Sequence, residues 1–266
     1  MAVQLPPNNT DVPEAYVGAW RKRSNVDHAF WLQTHRLHAI IVIPADRPDF
    51  SGRKSWEDFS GDELMVLAHQ GGVSGACIAA EDVLHRRRQV DYLPQRGQPF
   101  LRRLKREGTQ ITDECLDGRH RCIWDLLADA DNEIVGLRFH DVEVGSGGGD
   151  QCRGYLLAVG PYFMYVRDRF VATQRADSLA MLAELKNFNR QQLIEVLDFE
   201  LSFGRRDGEK PWTIELSTIP FREGRQLMSD EVLRRIIAGA NQGPERIRRG
   251  GKTFLRYWTL DEWQQR

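Results

Sequence analysis

The chain has no apolar run near the roughly 18 residues that a membrane-spanning helix requires, so no membrane span is expected. Cysteine is sparse: Cys77, Cys115, Cys122 and Cys152 are the only four in 266 residues, and none forms a Cys-x-x-Cys pair. That number excludes a disulfide framework for a chain of this length. Lysine is scarcer than arginine, with six residues among 37 basic ones. Net charge is also missing, since 38 acidic residues offset the basic ones to leave −1. A chain so balanced has no global field to gather nucleic acid or an anionic surface, and nucleic acid is not expected as a partner. Met1 to Thr10 is polar and proline-bearing, without the apolar segment of a secretory signal, so a cytoplasmic location with reduced thiols is expected. What is present is a hydrophobic content of 41% with 9% aromatic residues, enough to build a core and to exclude wholesale disorder.

Most of the chain reads as short strands. Residues 1–12 form a flexible lead, and three strand candidates run from Val17 to Pro44. Alternation in the second places Trp31, Gln33 and His35 on one face, and in the third it places His38, Ile40 and Val42 together. Gly61 to Gln70 has helical spacing behind acidic Asp62 and Glu63. Strand character returns at Val73–Ala80, Val83–Tyr92 and Gln110–Leu127. Within the last, Asp117-Gly118 is a two-residue hairpin turn that pairs Glu114 with Arg121 and Asp113 with Cys122. Further strands are expected at Ile134–Val144 and Gly154–Val171, separated by the glycine run Gly145 to Gly149. Ser178–Lys186 and Ser229–Ala240 read as helices, Leu197–Phe203 and Trp212–Phe221 as a hairpin, and Thr253–Trp258 as a closing strand.

No motif names a reaction. The glycine run is followed by neither Lys-Ser/Thr nor a helix, so it is no phosphate cradle. Cys115, His120 and Cys122 share a face in the predicted hairpin, but no fourth ligand accompanies them, and packing cysteines are expected instead of a metal site. The clusters Arg86–Arg88, Arg102-Arg103 with Lys105-Arg106, and Arg246 with Arg248-Arg249 read as solvated faces. Glu195, Asp198 and Glu200 read as an exposed strand or helix end without paired acid–base work.

The opening Gly18-x-Trp20, followed by β-patterned runs, resembles the start of lipocalin and other calycin barrels. In these a tryptophan plugs the barrel floor and an arginine from a late strand caps it. Further stretches carry a broader similarity to a family of lipocalin-like proteins of bacteria and fungi, which includes a yeast kinase-interacting protein built of lipocalin-like barrels. They are Val17 to Arg23, Trp31 to Thr34 running to Ile43-Pro44, Val73 to Ala76, Arg87 to Tyr92, Val159 to Phe163 and Trp212 to Gly224. Apolar Ile40 and Val42, and Cys122 before Trp124, depart from that pattern, which expects polar groups there. The resemblance implies an all-β, lipocalin-like antiparallel β-barrel with one or two short flanking helices, with Trp20 closed by Arg167 or Arg169. It transfers no catalytic residue.

The barrel is expected over residues 13–170. Residues 171–266 then complete it or form a second small β unit. The expected function is binding of a small hydrophobic or amphipathic molecule inside the barrel, lined by Trp31, Gln33, His35 and His38, without cofactor or metal. The alternatives are a scaffold with a filled barrel that binds a protein partner, and a cofactor-free isomerase, cyclase or hydratase that uses the cavity as a mould.

Overall fold

A computed structural model describes residues 11–80, 83–94, 99–145, 151–249 and 251–265. The lead expected at 1–12 lies outside these residues as far as residue 10. Val12 is buried, and its N–H donates to the His35 carbonyl at 2.8 Å. The glycine run lies outside them beyond Gly145. Among the described residues no helix is long and apolar enough to cross a membrane.

The first sheet contains β1 (Gly18–Lys22), β2 (Asp27–Gln33), β3 (Leu37–Pro44), β4 (Gly71–Ala80), β5 (Val83–Arg87), a short β6 (Val90–Asp91), β7 (Pro99–Glu107), β8 (Gln110–Cys115) and β9 (Arg121–Asp129). Each neighbouring pair is antiparallel. The pairing of β9 with β1 and of β3 with β4 closes eight of these strands into a ring, and β6 adds to β4 beyond the end of β5. Closure removes the open sheet edges that would otherwise recruit another strand. The predicted hairpin register holds, with Glu114 opposite Arg121 and Asp113 opposite Cys122. Gly118 takes the positive φ of 71° that such a turn demands.

The second sheet takes β10 (Ile134–Glu143), β11 (Gln151–Val159), β12 (Tyr162–Arg167), β13 (Glu200–Arg205), β14 (Thr213–Ser217), β15 (Pro244–Arg249) and β16 (Lys252–Gln264). It also runs as an antiparallel meander whose last strand returns beside its first, but its edges β14 and β15 are not joined. The first sheet ends at Asp129 and the second begins at Ile134; residues 170 and 171 fall between β12 and β13.

Four α-helices occur among the described residues, where one or two were expected: α1 (Gly61–Leu67), α2 (Leu179–Lys186), α3 (Arg190–Leu197) and α4 (Asp230–Gly239). Each begins at a side-chain cap: Ser60, Ser178, Asn189 and Ser229 accept from backbone N–H groups of the first turn. The helix absent from the sequence reading, α3, is two turns long and carries a reciprocal Asn189–Gln192 capping box.

The two sheets share a core. Strands β2 and β3 are buried on both faces: Trp31 and Ile40 point into the ring, while Leu32, Ala39 and Ile41 point outward onto Leu157, Met164 and Leu201 of the second sheet. Phe30 stacks on Phe203 with ring centroids 3.9 Å apart. The sheets approach closely at Gly72, where a Cβ would lie 2.0 Å from Leu201 Cδ1. Helices α1, α2 and α3 bury leucines in the same cluster. A core this continuous couples the sheets into one cooperative unit. Phe203→Ala is therefore expected to cost about 3–5 kcal/mol and to lower a single transition. Tryptophan fluorescence and far-UV circular dichroism should shift together in urea; a barrel transition that stays put while a second one moves would contradict the shared core.

Candidate functional site

Alternation along the closed strands decides which side chains face the barrel interior. Trp31 and Gln33 of β2 do so and are fully buried. The Trp31 indole donates to Gln33 Oε1 at 3.3 Å, and Gln33 Nε2 donates to the carbonyls of Thr34 at 2.8 Å and Leu37 at 3.0 Å. The hydrogen-bonding groups of Gln33 are thus engaged with the barrel itself. His38 of β3 is also fully buried, and neither ring nitrogen has a partner among the described residues. His35, expected on the same face as Trp31 and Gln33, lies elsewhere. It follows the end of β2, where the turn to β3 breaks the alternation. Its ring meets Glu262 of β16, and its backbone N–H donates to Glu262 Oε2 at 3.0 Å.

The residue that dominates this interior is Arg86 of β5, which the sequence reading assigned to a solvated face. Its side chain has no exposure. The guanidinium lies over the Trp31 ring at 4.2 Å and near the Phe100 ring at 5.6 Å, the geometry of a cation–π sandwich. One nitrogen, Nη1, donates to Asp113 Oδ2 at 2.9 Å. The same carboxylate also receives Arg102 Nε, while Arg102 Nη2 donates to the Asp113 carbonyl at 3.0 Å and Nη1 meets Cys115 Sγ. Two buried guanidinium groups therefore share one carboxylate, leaving this cluster one positive charge in excess among the described residues. Arg86 Nε and Nη2 have no hydrogen-bond partner among the described residues, nor do the indole N–H groups of Trp20 and Trp124 nearby in the same interior cluster.

Trp20 is fully buried in the interior cluster, stacked on Trp31 at 5.8 Å, with Trp124 edge-on to Trp31 at 5.6 Å. Its closing cation is not the expected one. Arg106 of β7 lies over its ring at 5.5 Å and donates to the Ala15 carbonyl at 2.8 Å. Arg167 and Arg169 belong to the end of β12 and the residues after it, in the second sheet. Arg167 donates to Asp198 Oδ1 at 2.7 Å, and Arg169 lies over Phe199 at 4.8 Å while donating to the Tyr92 carbonyl at 2.8 Å. The ring closes at β9, before either residue is reached, so the cap comes from a strand of the ring itself.

Electrostatics follow from burial. Burial, and then the charge of Arg86, hold the His38 imidazole well below its usual range, so the ring is neutral. Burial pushes the Cys77 thiol up to about 12 against the opposing pull of Arg86, and burial raises Cys122 as well. Neither thiol is an activated nucleophile. No group of three or more His, Cys, Asp or Glu side chains is placed to hold a metal ion among the described residues. The interior thus offers N–H donors, a surplus positive charge and aromatic faces, which together suit an anionic group on a flat apolar body.

No protein-family model matches the chain, and no curated protein matches it. Among solved structures, the uncharacterized protein YLR301w from Saccharomyces cerevisiae is similar, with a TM-score of 0.46 at 7% identity over 92% of this chain and 98% of that one.

The neutral state of His38 sets a pH dependence. Its folded pKa lies below the unfolded value of 6.5, so on acidification the unfolded chain takes up a proton that the fold refuses. The His38 contribution is therefore intact above about pH 6.5 and is lost below it, at up to about 1.4 kcal/mol per pH unit. The urea midpoint should fall between pH 7.5 and 5.5, and His38→Leu should flatten that fall. An unchanged slope in the variant would exclude His38 as its source.

Proposed function

We propose that the barrel binds a small amphipathic molecule through a single anionic group, such as a carboxylate, held by Arg86. The observation that carries this reading is a fully buried guanidinium with two unpartnered nitrogens, in an ion cluster that holds one positive charge in excess among the described residues. A buried cation that shares its one carboxylate with a second arginine is costly, and a bound anion would supply both further negative charge and the missing acceptors. Trp31 and Phe100 lie within cation–π range of the guanidinium and make its surroundings aromatic, an environment suited to the apolar part of such a molecule. Neutral His38 can give or take one further hydrogen bond, depending on its tautomer. Nothing in this reading calls for turnover; the chemistry is recognition.

A second reading has its own support. Trp20, Trp31 and Trp124 interlock across the interior, and a barrel filled in this way suits a scaffold whose outer surface binds a protein partner. In that case Arg86 is a structural strut.

The two readings part at Arg86→Met. The substitution removes the surplus charge and leaves Arg102 and Asp113 as a neutral pair, so the stability loss should be about 2 kcal/mol or less, the scale of a desolvated cation–π contact. Benzoate at about tenfold above its Kd should stabilise the native protein by about 1.4 kcal/mol, or roughly 2–5 °C in Tm. Benzamide, which lacks the charge, should not, and Arg86→Met should abolish the benzoate effect. A variant that loses several kcal/mol, with no benzoate response in the native protein, would favour the strut and remove the anion site.

A further inference from the structure

A second cavity, of about 760 Å³, lies over the second sheet on the face that carries α4. Its volume falls within the range of roughly 300–1,000 Å³ typical of small-molecule sites. Tyr165 of β12 and Trp258 of β16 form its floor with Arg167 and Arg256, and Val232 and Ile236 of α4 form one wall. Trp56 and Phe221, edge-on to each other at 5.2 Å, stand at the rim.

The charges here are balanced, unlike those in the barrel. Four arginines and four carboxylates line the cavity. Arg167 donates to Asp198, and Arg222 donates to Glu200 at 2.9 Å. Arg256 donates through Nε and Nη2 to both oxygens of buried Asp141, at 2.7 and 2.8 Å, with its guanidinium carbon 3.9 Å from the Phe139 ring centroid. The indole N–H of Trp258 is taken by Glu245 at 3.1 Å. Polar groups at the floor are thus engaged with one another, and aromatic and aliphatic surface makes up the larger part of what remains for a ligand, with exposed Arg248 and Glu57 at the edge.

The helical wall is also held firmly in place. The Trp212 indole donates to Asp230 at 2.9 Å in the first turn of α4, and Trp212 itself sits in the left-handed region at φ 61°. A bulky residue is retained there only when packing over-determines it, here through full burial and its tilted contact with Phe163 at 5.0 Å.

We infer that this cavity is a second binding site, separate from the barrel, for an uncharged and largely apolar small molecule. Its driving force is burial of apolar surface against Trp258, Tyr165 and the α4 wall. The paired charges of Arg167, Arg222 and Arg256 at the floor give an ionic ligand no unmatched partner there, and a charged group buried against them would lose its hydration without compensation.

The test uses two probes that share one ring system, uncharged N-phenyl-1-naphthylamine and its sulfonate analogue 1-anilinonaphthalene-8-sulfonate. The uncharged probe should bind the full chain saturably with one-to-one stoichiometry, and more tightly than the sulfonate. Val232→Trp, which projects bulk into the cavity from a half-buried position, should weaken it by about tenfold or more. Because a large residue can disturb the helix, Phe221→Ala at the rim is measured beside it and should weaken binding severalfold, with circular dichroism showing both variants folded. Arg86→Met should leave this binding unchanged. Absence of saturable binding, equal affinity in both folded cavity variants, or loss in Arg86→Met would each overturn the site. The last outcome would move the probe into the barrel, and the benzoate response reports on that reading separately.

Discussion

Closure of the eight-strand ring is the constraint on which the rest of the structure depends. Once β9 pairs with β1 and β3 with β4, the interior loses its access to bulk water along the strands. Every polar group on the inner face must then find a partner inside. Gln33 does so with backbone carbonyls and Trp31, and Asp113 does so by accepting from two arginines. Arg86 and His38 do not complete their hydrogen bonding within the described residues. Neutralisation spares His38 the cost of a buried charge, though not of its unmade hydrogen bonds, because an imidazole can release its proton near neutral pH. A guanidinium cannot, so Arg86 keeps its charge wherever it is buried.

The barrel does not stand alone. Its β2 and β3 are apolar on both faces because the outer face is covered by the second sheet and by α1, α2 and α3. Strands buried on both sides lose the clean alternation of a sheet with one wet face and read as continuous apolar runs, as Ala39 to Ile43 does. His35 and Glu262 add a polar contact between the turn after β2 and the last strand of the second sheet. Both candidate sites therefore rest on one folding unit, and a change in the shared core reaches each of them.

The two interiors differ in their charge bookkeeping more than in their apolar lining. Each combines tryptophan with buried arginine. In the barrel two guanidinium groups share Asp113. In the second sheet Arg256 has Asp141 to itself, and Arg167 and Arg222 are matched by Asp198 and Glu200. A buried charge with a full set of partners is structural, while one without them is a place where a ligand can contribute. That difference is the ground on which we propose an anion site in the barrel and a neutral one over the second sheet.

Much of the architecture was legible in the sequence, because strand alternation, the Asp117-Gly118 turn and the helix caps are local signals set by backbone sterics and short-range hydrogen bonds. The period of two grouped Trp31 with Gln33 and His38 with Ile40, while which face turns inward came only from the closed ring. The helix α3 was legible too, in Asn189 and Gln192, but its two turns hardly exceed the noise of periodicity. What local signals could not reveal was which strands meet. Arg86 sits in a run of three arginines that reads as solvated, and only the pairing of β5 with β7 and β7 with β8 brings it to Asp113. Arg106 rather than Arg167 or Arg169 closes over Trp20 for the same reason. The sequence by itself determined the antiparallel strands, their turns and which side chains within a strand share a face. Tertiary structure alone decided where the ring closes and which charges it buries together, because partners far apart in the chain leave no local pattern.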